Sequence, residues 1–338
     1  MINPETLDKY DSEKMYKVYE DWPIIALNAF LSERKIRNIE KTNHIIFAGM
    51  GGSGAIGDLF EALLSKSPIH VNVIKGYELP KTVNSETLVI TISISGNTEE
   101  TLSILDAANK KHSKIIAFSS GGKMQQYCEK EGINHVKIPL LHSPRASFAS
   151  YVYRILNELH LVLGIKKEDV VESIDKLKEL KKKIGSDNLT KDNPSLCLAQ
   201  WLVKIPEIYF PFGLKSAAIR FKNSLQENSK KHASIEDVIE FSHNGIVSWE
   251  RKDNHQAIIL QGVDDHFKTK ERWKIIEKFF IENNIDFYKI TSVTGSILTK
   301  LINLIYLLDF ATIYKSVIDG IDPTPVSSIN YIKKNLQI

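Results

Sequence analysis

Cysteine is scarce in this chain of 338 residues. Only Cys128 and Cys197 are present, and they form neither a disulfide framework nor a CxxC pair of the kind that binds zinc. A chain with so few cysteines is typical of a reducing compartment. We therefore expect an intracellular, cytoplasmic protein.

Long apolar runs are also missing from the sequence. The N-terminal residues, MINPETLDKYDSEKMYKVYEDW, are acidic and lack the apolar core that a signal peptide needs. No later apolar run approaches the roughly 20 residues that a membrane-spanning helix requires. The sequence therefore predicts no membrane partner.

Neither sign of charge is in strong excess. The net charge is +3 with 25% charged residues, so there is no electrostatic reason to expect nucleic acid as a partner. None of the ten histidines belongs to an HxH or HExxH pair, which argues against a metal site. The 43% of hydrophobic residues are enough to bury a core in each of two domains.

Short apolar runs alternate with amphipathic stretches in the first half of the chain. Four of these runs read as strands: His44–Met50, Ile69–Ile74, Thr87–Ile92 and Lys114–Ser119. Runs that are apolar throughout are typical of parallel strands buried on both faces. Helical spacing lies between them, at Ser53–Ser65 and Asn97–Lys110. This alternation predicts an α/β fold with a doubly wound parallel sheet.

A charged stretch divides the chain into two such units. Within residues 161–190, an apolar residue recurs at every third position from Val171 to Leu180, which predicts a solvated amphipathic linker helix. The second unit has strands at Glu207–Pro211, Gln256–Gln261 and Asp286–Ile290, with helices at Lys215–Glu227, Lys268–Ile281 and Ser296–Tyr314. We predict an N-terminal domain with leading helices at 1–160 and a C-terminal domain with a C-terminal helix at 191–338.

Several glycines surround Ser53 in FAGMGGSGAIGD, at the first strand-to-helix turn. Glycine lets the backbone approach an anion closely, and the start of a helix directs free N–H groups at it. A dinucleotide-binding turn has the same order of strand, glycines and helix. The glycine spacing fits that fingerprint poorly, and Lys75 follows the next strand where an acidic residue would bind a ribose. We interpret the segment as an anion-binding turn.

A second turn carries three hydroxyl groups. The segment SISGNTEETL follows the strand at Thr87–Ile92 and places Ser93, Ser95 and Thr98 before a helix. Hydroxyls and N-terminal amides together can hold a phosphate without lysine or Mg²⁺. An ordinary helix cap at Asn97 or Thr98 is the alternative, because acidic residues follow. Capping alone leaves the serines unexplained.

GGSG followed by SxSGNTxET resembles the sugar isomerase (SIS) domain superfamily. The whole chain resembles the archaeal and bacterial bifunctional phosphoglucose/phosphomannose isomerases. Five further motifs carry this resemblance: GYELP at Gly76–Pro80, SPRASF at Ser143–Phe148, QENSK at Gln226–Lys230, EFSHNG at Glu240–Gly245 and DPTPVSSINYIKK at Asp322–Lys334. It thus covers nearly the full length of the chain.

The resemblance implies two flavodoxin-like, three-layer SIS domains with an active site in the cleft between them. It also implies an isomerase that interconverts glucose 6-phosphate or mannose 6-phosphate with fructose 6-phosphate through a cis-enediol, with no metal and no other cofactor. The preference between the two aldoses is left open. A homodimer is implied in addition, in which the histidine of each site comes from the partner subunit.

The resemblance also assigns roles to individual residues. Those that would bind the substrate are Gly52, Ser53, Ser93, Ser95 and Thr98. Glu227 would move the proton between C1 and C2, and Arg145 would stabilise the enediolate, because a fixed guanidinium offsets charge without transferring a proton. His243 and Lys333 would open the sugar ring, a step that suits a group titrating near neutrality. Lys334, next to Lys333, stays an alternative, and Thr324 is a candidate for contacts near C2.

Two positions depart from the family pattern. Gln226 replaces a usual asparagine, and Gly245 stands where the family commonly has an acidic residue close to the histidine.

Two other functions fit the sequence less well than the isomerase does. A non-catalytic sugar-phosphate sensor usually carries a DNA-binding helix-turn-helix, and no such pattern precedes Gly49. A hexosamine-forming amidotransferase would need an N-terminal cysteine nucleophile, whereas the first cysteine is Cys128.

Overall fold

The computed structural model describes residues 2–36, 42–251 and 253–336. The helices are α1 (Pro4–Tyr10), α2 (Met15–Glu20), α3 (Trp22–Leu31), α4 (Gly51–Leu64), α5 (Glu99–Lys110), α6 (Gly122–Glu131), α7 (Phe148–Leu159), α8 (Lys167–Ile184), α9 (Pro194–Trp201), α10 (Lys215–Asn228), α11 (Val238–Phe241), α12 (Phe267–Glu282), α13 (Ile297–Ile318) and α14 (Ser327–Asn335). The strands are β1 (His44–Ala48), β2 (His70–Ile74), β3 (Leu88–Ser93), β4 (Lys114–Ser119), β5 (Asn134–Lys137), β6 (Ile205–Phe210), β7 (Ser234–Asp237), β8 (His255–Gln261) and β9 (Phe287–Thr291). A 3-10 turn covers Gly245–Glu250.

The N-terminal sheet has five parallel strands in the order β2-β1-β3-β4-β5. This is the flavodoxin-like order, and the α/β class and the four strands predicted from the sequence are confirmed. Every residue of β3 is buried, as expected for a central strand covered on both faces. The strand order reverses between β1 and β3, and ligands of such sheets bind outside the carboxyl ends of the strands at this point. The two glycine- and serine-rich turns follow β1 and β3.

The C-terminal sheet has four parallel strands in the order β7-β6-β8-β9. The three strands predicted here are confirmed, and β7 is an addition. The crossover from β6 to β7 runs through α10, so the end of α10 lies near the amino end of β7. The segment that follows β7 therefore starts at the opposite, carboxyl edge of the sheet.

Helix α13 is the longest in the described part of the chain, with 22 residues. Its length and its mean hydropathy of 1.5 would suit a membrane span, but 89% of the apolar window is buried inside the protein. Lys300 and Asp309 lie within this helix, so the sequence contains no uninterrupted apolar run of this length. Both side chains are paired, Lys300 with Asp264 and Asp309 with Arg220. The helix packs against α8, α9 and α10, and its apolar residues belong to a core that both domains share.

Helix α8 corresponds to the predicted linker helix. Its buried stripe contains Val170, Ile174, Leu177 and Leu180, whereas Val171 is 44% exposed. The stripe thus starts one residue earlier than the sequence analysis placed it. It packs against α3 and α13, so one face of this charged helix is part of the shared core. The domain limits at 160 and 190 stay predictions.

Candidate active site

A cleft of about 590 Å³ lies between the two domains. The turn before α4 forms one wall, and the end of α10 together with the start of α14 forms the other. Its lining includes Gly51, Asn223, Gln226, Glu227, Lys230, Lys231, His232 and Pro325–Ile329. The QENSK and DPTPVSS motifs, which are distant in sequence, therefore meet at the first glycine-rich turn.

The glycine-rich turn that follows β1 packs directly against the segment that carries Arg145. A Cβ atom at Gly52 would lie 3.5 Å from the carbonyl oxygen of Pro144 and 3.6 Å from the Cα of Arg145. Ser53 lies in the first turn of α4, is only 6% exposed, and its Oγ accepts a hydrogen bond of 3.3 Å from the backbone N–H of Ile94. This bond ties the turn after β1 to the turn after β3, so the two predicted anion-binding turns form one unit.

The turn that follows β3 carries three hydroxyl groups, and only some of them are exposed to solvent. Ser93 is fully buried, and its Oγ donates to Oγ1 of Thr98 at 3.0 Å. Ser95 is exposed, and its Oγ accepts from the backbone N–H of Asn97 at 3.3 Å. Thr98 is the N-cap residue of α5, yet its side chain makes no capping hydrogen bond. Because Ser93 is the donor in its contact with Thr98, the hydroxyl hydrogen of Thr98 is left for another acceptor.

Glu227, which lines the cleft, forms an ion pair with the buried Arg145, with 3.3 Å between Oε2 and Nη1. The arginine side chain is 4% exposed and the glutamate side chain 26%. Nε of Arg145 donates to Oδ1 of Asn228 at 2.6 Å, and Nη2 donates to the carbonyl oxygens of Pro323 at 2.6 Å and Thr324 at 2.9 Å. These acceptors fix the orientation of the guanidinium. The result is a fixed cation beside a partly exposed carboxylate.

The hydroxyl of Thr324 is buried and has no hydrogen-bond partner among the described residues. The backbone carbonyl of Thr324 accepts a hydrogen bond from the Arg145 guanidinium, so one residue carries both this contact and the unpaired hydroxyl. A buried hydroxyl without a partner costs free energy unless a ligand satisfies it. The observation supports the prediction that Thr324 contacts the substrate.

Lys230 lines the cleft, although sequence analysis gave it no role. Its Nζ donates to the carbonyl oxygens of Glu227 at 2.6 Å and Pro323 at 3.2 Å. Burial lowers the pKa of Lys230, and the positive charge of Arg145 lowers it further. The QENSK motif could have indicated this residue, because it places a lysine three positions after Glu227 at the end of a helix.

His243 does not lie in the cleft of its own chain. It follows α11, near the carboxyl end of β7, whereas Glu227 lies in the last turn of α10, near the amino end of β7. The imidazole belongs to an exposed residue whose backbone N–H donates to the carbonyl oxygen of Glu240 at 2.8 Å. Within one chain the structure therefore separates His243 from Glu227.

Lys333 lies on α14, a helix with no buried residue. Ile329 lines the cleft, and Lys333 is four residues later on the same helix face. Lys334 is seven residues after Ser327, which also lines the cleft, so it too shares a helix face with a lining residue. Helix periodicity therefore does not separate the two lysines, and Lys333 stays the candidate that the family resemblance names. Among the described residues, no group of three or more His, Cys, Asp or Glu side chains is arranged to hold a metal ion.

Comparison with known proteins identifies the family. A model of the SIS domain matches residues 38–132, and a model of the bacterial phospho-glucose isomerase C-terminal SIS domain matches residues 191–336. The chain is 33% identical to the bifunctional phosphoglucose/phosphomannose isomerase of Caldicellulosiruptor bescii, and the match covers 96% of both chains. The chain belongs to the bifunctional phosphoglucose/phosphomannose isomerase family. The resemblance stated from its motifs is confirmed.

Other relatives extend this picture of the bifunctional isomerase family. The isomerase of the same name from Aquifex aeolicus is 28% identical, with 96% of this chain and 99% of the relative covered. The D-glucosamine-6-phosphate 4-epimerase of Sulfolobus acidocaldarius is 29% identical, with 72% of this chain and 76% of the relative covered. A crystal structure of a glucose-6-phosphate isomerase-like protein from Thermus thermophilus has a TM-score of 0.63 at 14% identity and covers 99% of both chains, which shows a shared fold.

Proposed function

We propose that this protein is an aldose–ketose isomerase that interconverts glucose 6-phosphate and mannose 6-phosphate with fructose 6-phosphate. The relatives that cover almost the whole chain carry this activity in their names. The observation that carries the proposal is the contact between the Glu227 carboxylate and the fixed guanidinium of Arg145, beside a turn rich in hydroxyls. In this role the protein would act in glycolysis and gluconeogenesis in the cytoplasm.

The chemistry requires a base and a stabiliser of negative charge. Glu227 takes the proton from C2 of the open-chain aldose, and the electron pair of the broken C–H bond forms the C1–C2 double bond of the enediolate. The negative charge on O1 is stabilised by Arg145, whose guanidinium is already oriented and loses little in reorganisation. The hydroxyl proton on O2 then passes to O1, and Glu227 returns its proton to C1, so that the C2–O2 bond becomes the carbonyl group of the ketose. None of these steps needs an electron donor or acceptor from outside.

The phosphate would lie at the two turns that Ser53 links. The N–H groups at the starts of α4 and α5 point at this place, and the hydroxyls of Ser95 and Thr98 supply further donors. This site anchors the phosphate end of the sugar and leaves C1 and C2 to reach the carboxylate of Glu227.

The position of His243 supports a homodimer with shared active sites. Glu227 and His243 lie at opposite ends of β7 in one chain, so a single chain does not bring the base and the imidazole together. We propose that His243 of the partner subunit completes the site and, with Lys333, opens the sugar ring. The missing acidic neighbour at Gly245 would change the surroundings of the imidazole without removing it.

An assay of the purified protein tests the proposal. Glucose 6-phosphate and mannose 6-phosphate are supplied separately, and the appearance of fructose 6-phosphate is measured by a coupled reaction. We expect turnover of both, unchanged by an excess of a metal chelator. Glucosamine 6-phosphate serves as a third substrate, and its conversion is followed by chromatography, because one relative is named as its 4-epimerase. Conversion of this amino sugar alone, or of none of the three, would overturn the proposal.

A further inference from the structure

The side chain of Asn228 meets the guanidinium of Arg145 inside the protein. Asn228 is fully buried at the end of α10, and its Oδ1 accepts from Nε of Arg145 at 2.6 Å. An asparagine amide has an oxygen at one end and an NH₂ group at the other. Only one of its two orientations can accept this hydrogen bond, because the other would place two donors face to face.

Thr312 decides which end of that amide faces Arg145. The hydroxyl of Thr312 donates to the carbonyl oxygen of Asp309 at 2.7 Å, so its oxygen is left as an acceptor. Nδ2 of Asn228 donates to this oxygen at 2.8 Å. The threonine thus holds the NH₂ end of the amide, and the oxygen end must turn toward Arg145. Thr312 is fully buried and reaches no part of the cleft.

Asp309 closes this set of contacts into a ring. Its carboxylate accepts from Nε of Arg220 at 2.9 Å and from Nη2 at 2.8 Å. The same Nη2 donates to the carbonyl oxygen of Arg145 at 2.7 Å, and the Arg220 guanidinium lies over the ring of Phe148 at 4.6 Å. Both the main chain and the side chain of Arg145 are therefore held from the C-terminal domain.

We propose that Asn228 and Thr312 are positioning residues for Arg145. They direct Nη1 toward Glu227 and keep the guanidinium where negative charge develops on the substrate. This inference rests on the proposed function, since it takes from it the roles of Arg145 and Glu227. Neither residue touches the substrate. Their effect should therefore fall on the stabilisation of the enediolate and not on the binding of the phosphate.

Two phosphorylated inhibitors separate these effects. Arabinonate 5-phosphate carries a planar carboxylate that resembles the enediolate in shape and charge. Glucitol 6-phosphate is uncharged at C1 and C2. Both need the phosphate site, but only the aldonate needs a correctly oriented Arg145. The ratio of their dissociation constants, measured by calorimetry, reports the orientation of the guanidinium without requiring turnover.

The test uses three substitutions on α13. Thr312→Val removes the hydroxyl at nearly constant size, and Thr312→Ser keeps it. Thr299→Val is the matched control, because Thr299 is also fully buried and loses a hydrogen bond of 2.7 Å, here to Glu172. We expect Thr312→Val to lower the preference for the aldonate, measured as the ratio of the two dissociation constants, about tenfold, and to lower kcat roughly tenfold. Losses of this order are expected when a reacting group is misplaced by less than an ångström. Thr312→Ser and Thr299→Val should keep both values within about twofold of the wild type.

A folded Thr312→Val protein with the wild-type preference for the aldonate would overturn the inference, as would an equal loss in Thr299→Val. Should valine prevent folding, Thr312→Ala provides the same loss of the hydroxyl with less bulk, and the same expectations apply. A wild type that binds both inhibitors but converts neither aldose phosphate would overturn the proposed function instead. The two failures are therefore distinguishable.

Discussion

The Glu227 carboxylate lies 3.3 Å from Nη1 of Arg145, although 82 positions separate the two residues in the sequence. The arginine precedes α7 in the N-terminal domain, and the glutamate lies in the last turn of α10 in the C-terminal domain. Their contact exists only because α10 packs against α4 and the shared core holds both domains together. The two halves of the chain therefore both contribute to this pair, and Glu227 carries it to the lining of the cleft.

Replacement of Glu227 by glutamine should leave the fold intact and lower kcat by at least about a hundredfold, because a general base of this kind contributes roughly 10² to 10⁴. Glutamine keeps the size of the side chain and can still meet Arg145 through its oxygen. The measurement is kcat for both aldose phosphates, with the thermal midpoint as a check of folding.

The control for this variant is Glu282→Gln. Glu282 also lies in the last turn of a helix, α12, and contacts a lysine at 3.6 Å, but it is remote from the cleft. Its kcat should equal that of the wild type. A folded Glu227→Gln protein with near-normal turnover would show that another group is the base.

Much of the fold could be predicted from local patterns. The strands β1, β3 and β4 consist mostly of apolar residues, so their burial is visible in the sequence. The strands β5 and β7 were missed, because each has only four residues, three of them polar or charged, and at most one fully buried position. Such short edge strands are recognised only by their pairing with a neighbour, which local sequence does not encode.

The site was predictable only in part. Arg145 and Glu227 stand in motifs, and the resemblance to the family assigned their roles; their contact is a tertiary property. Asn228 and Thr312 were missed, because a single asparagine or threonine in a helix gives no signal of a buried hydrogen bond. His243 was predicted to come from the partner subunit, and a single chain leaves that prediction untested.

Ser95→Ala and Thr98→Ala should each weaken the binding of a phosphorylated inhibitor by about 1–3 kcal/mol, the range of a hydrogen bond to a charged group. The Thr98 hydroxyl makes no capping bond to α5, so its loss should not carry the cost of a lost cap, which is about 1 kcal/mol. Inhibitor titration well below the melting temperature measures the first effect, and chemical unfolding measures the second. Wild-type affinity in both variants would place the anion site elsewhere.

Lys333→Ala should lower kcat, whereas Lys334→Ala should not. The reason is that the family resemblance assigns ring opening to Lys333, which lies one helical turn after Ile329 at the cleft. The two neighbours are matched in type and helix position, so each serves as the control for the other. The comparison is made at saturating substrate with each aldose phosphate. A loss of kcat confined to Lys334→Ala would reverse the assignment.

Mixed dimers give the strongest test of a shared active site. If each site combines Glu227 of one subunit with His243 of the other, the homodimers of Glu227→Gln and of His243→Ala are both impaired at every site. In a heterodimer of the two variants, one site receives both defects and the other receives none. A heterodimer isolated through two different affinity tags should therefore recover about half of the wild-type kcat per dimer, as the two-fold symmetry of the interface requires.

A mixture of the two homodimers without subunit exchange is the control and should stay impaired. If each site were formed within one chain, every site of the heterodimer would carry one defect, and its activity would not exceed the mean of the two homodimers. That result, or a monomeric mass for the active protein, would contradict the shared site.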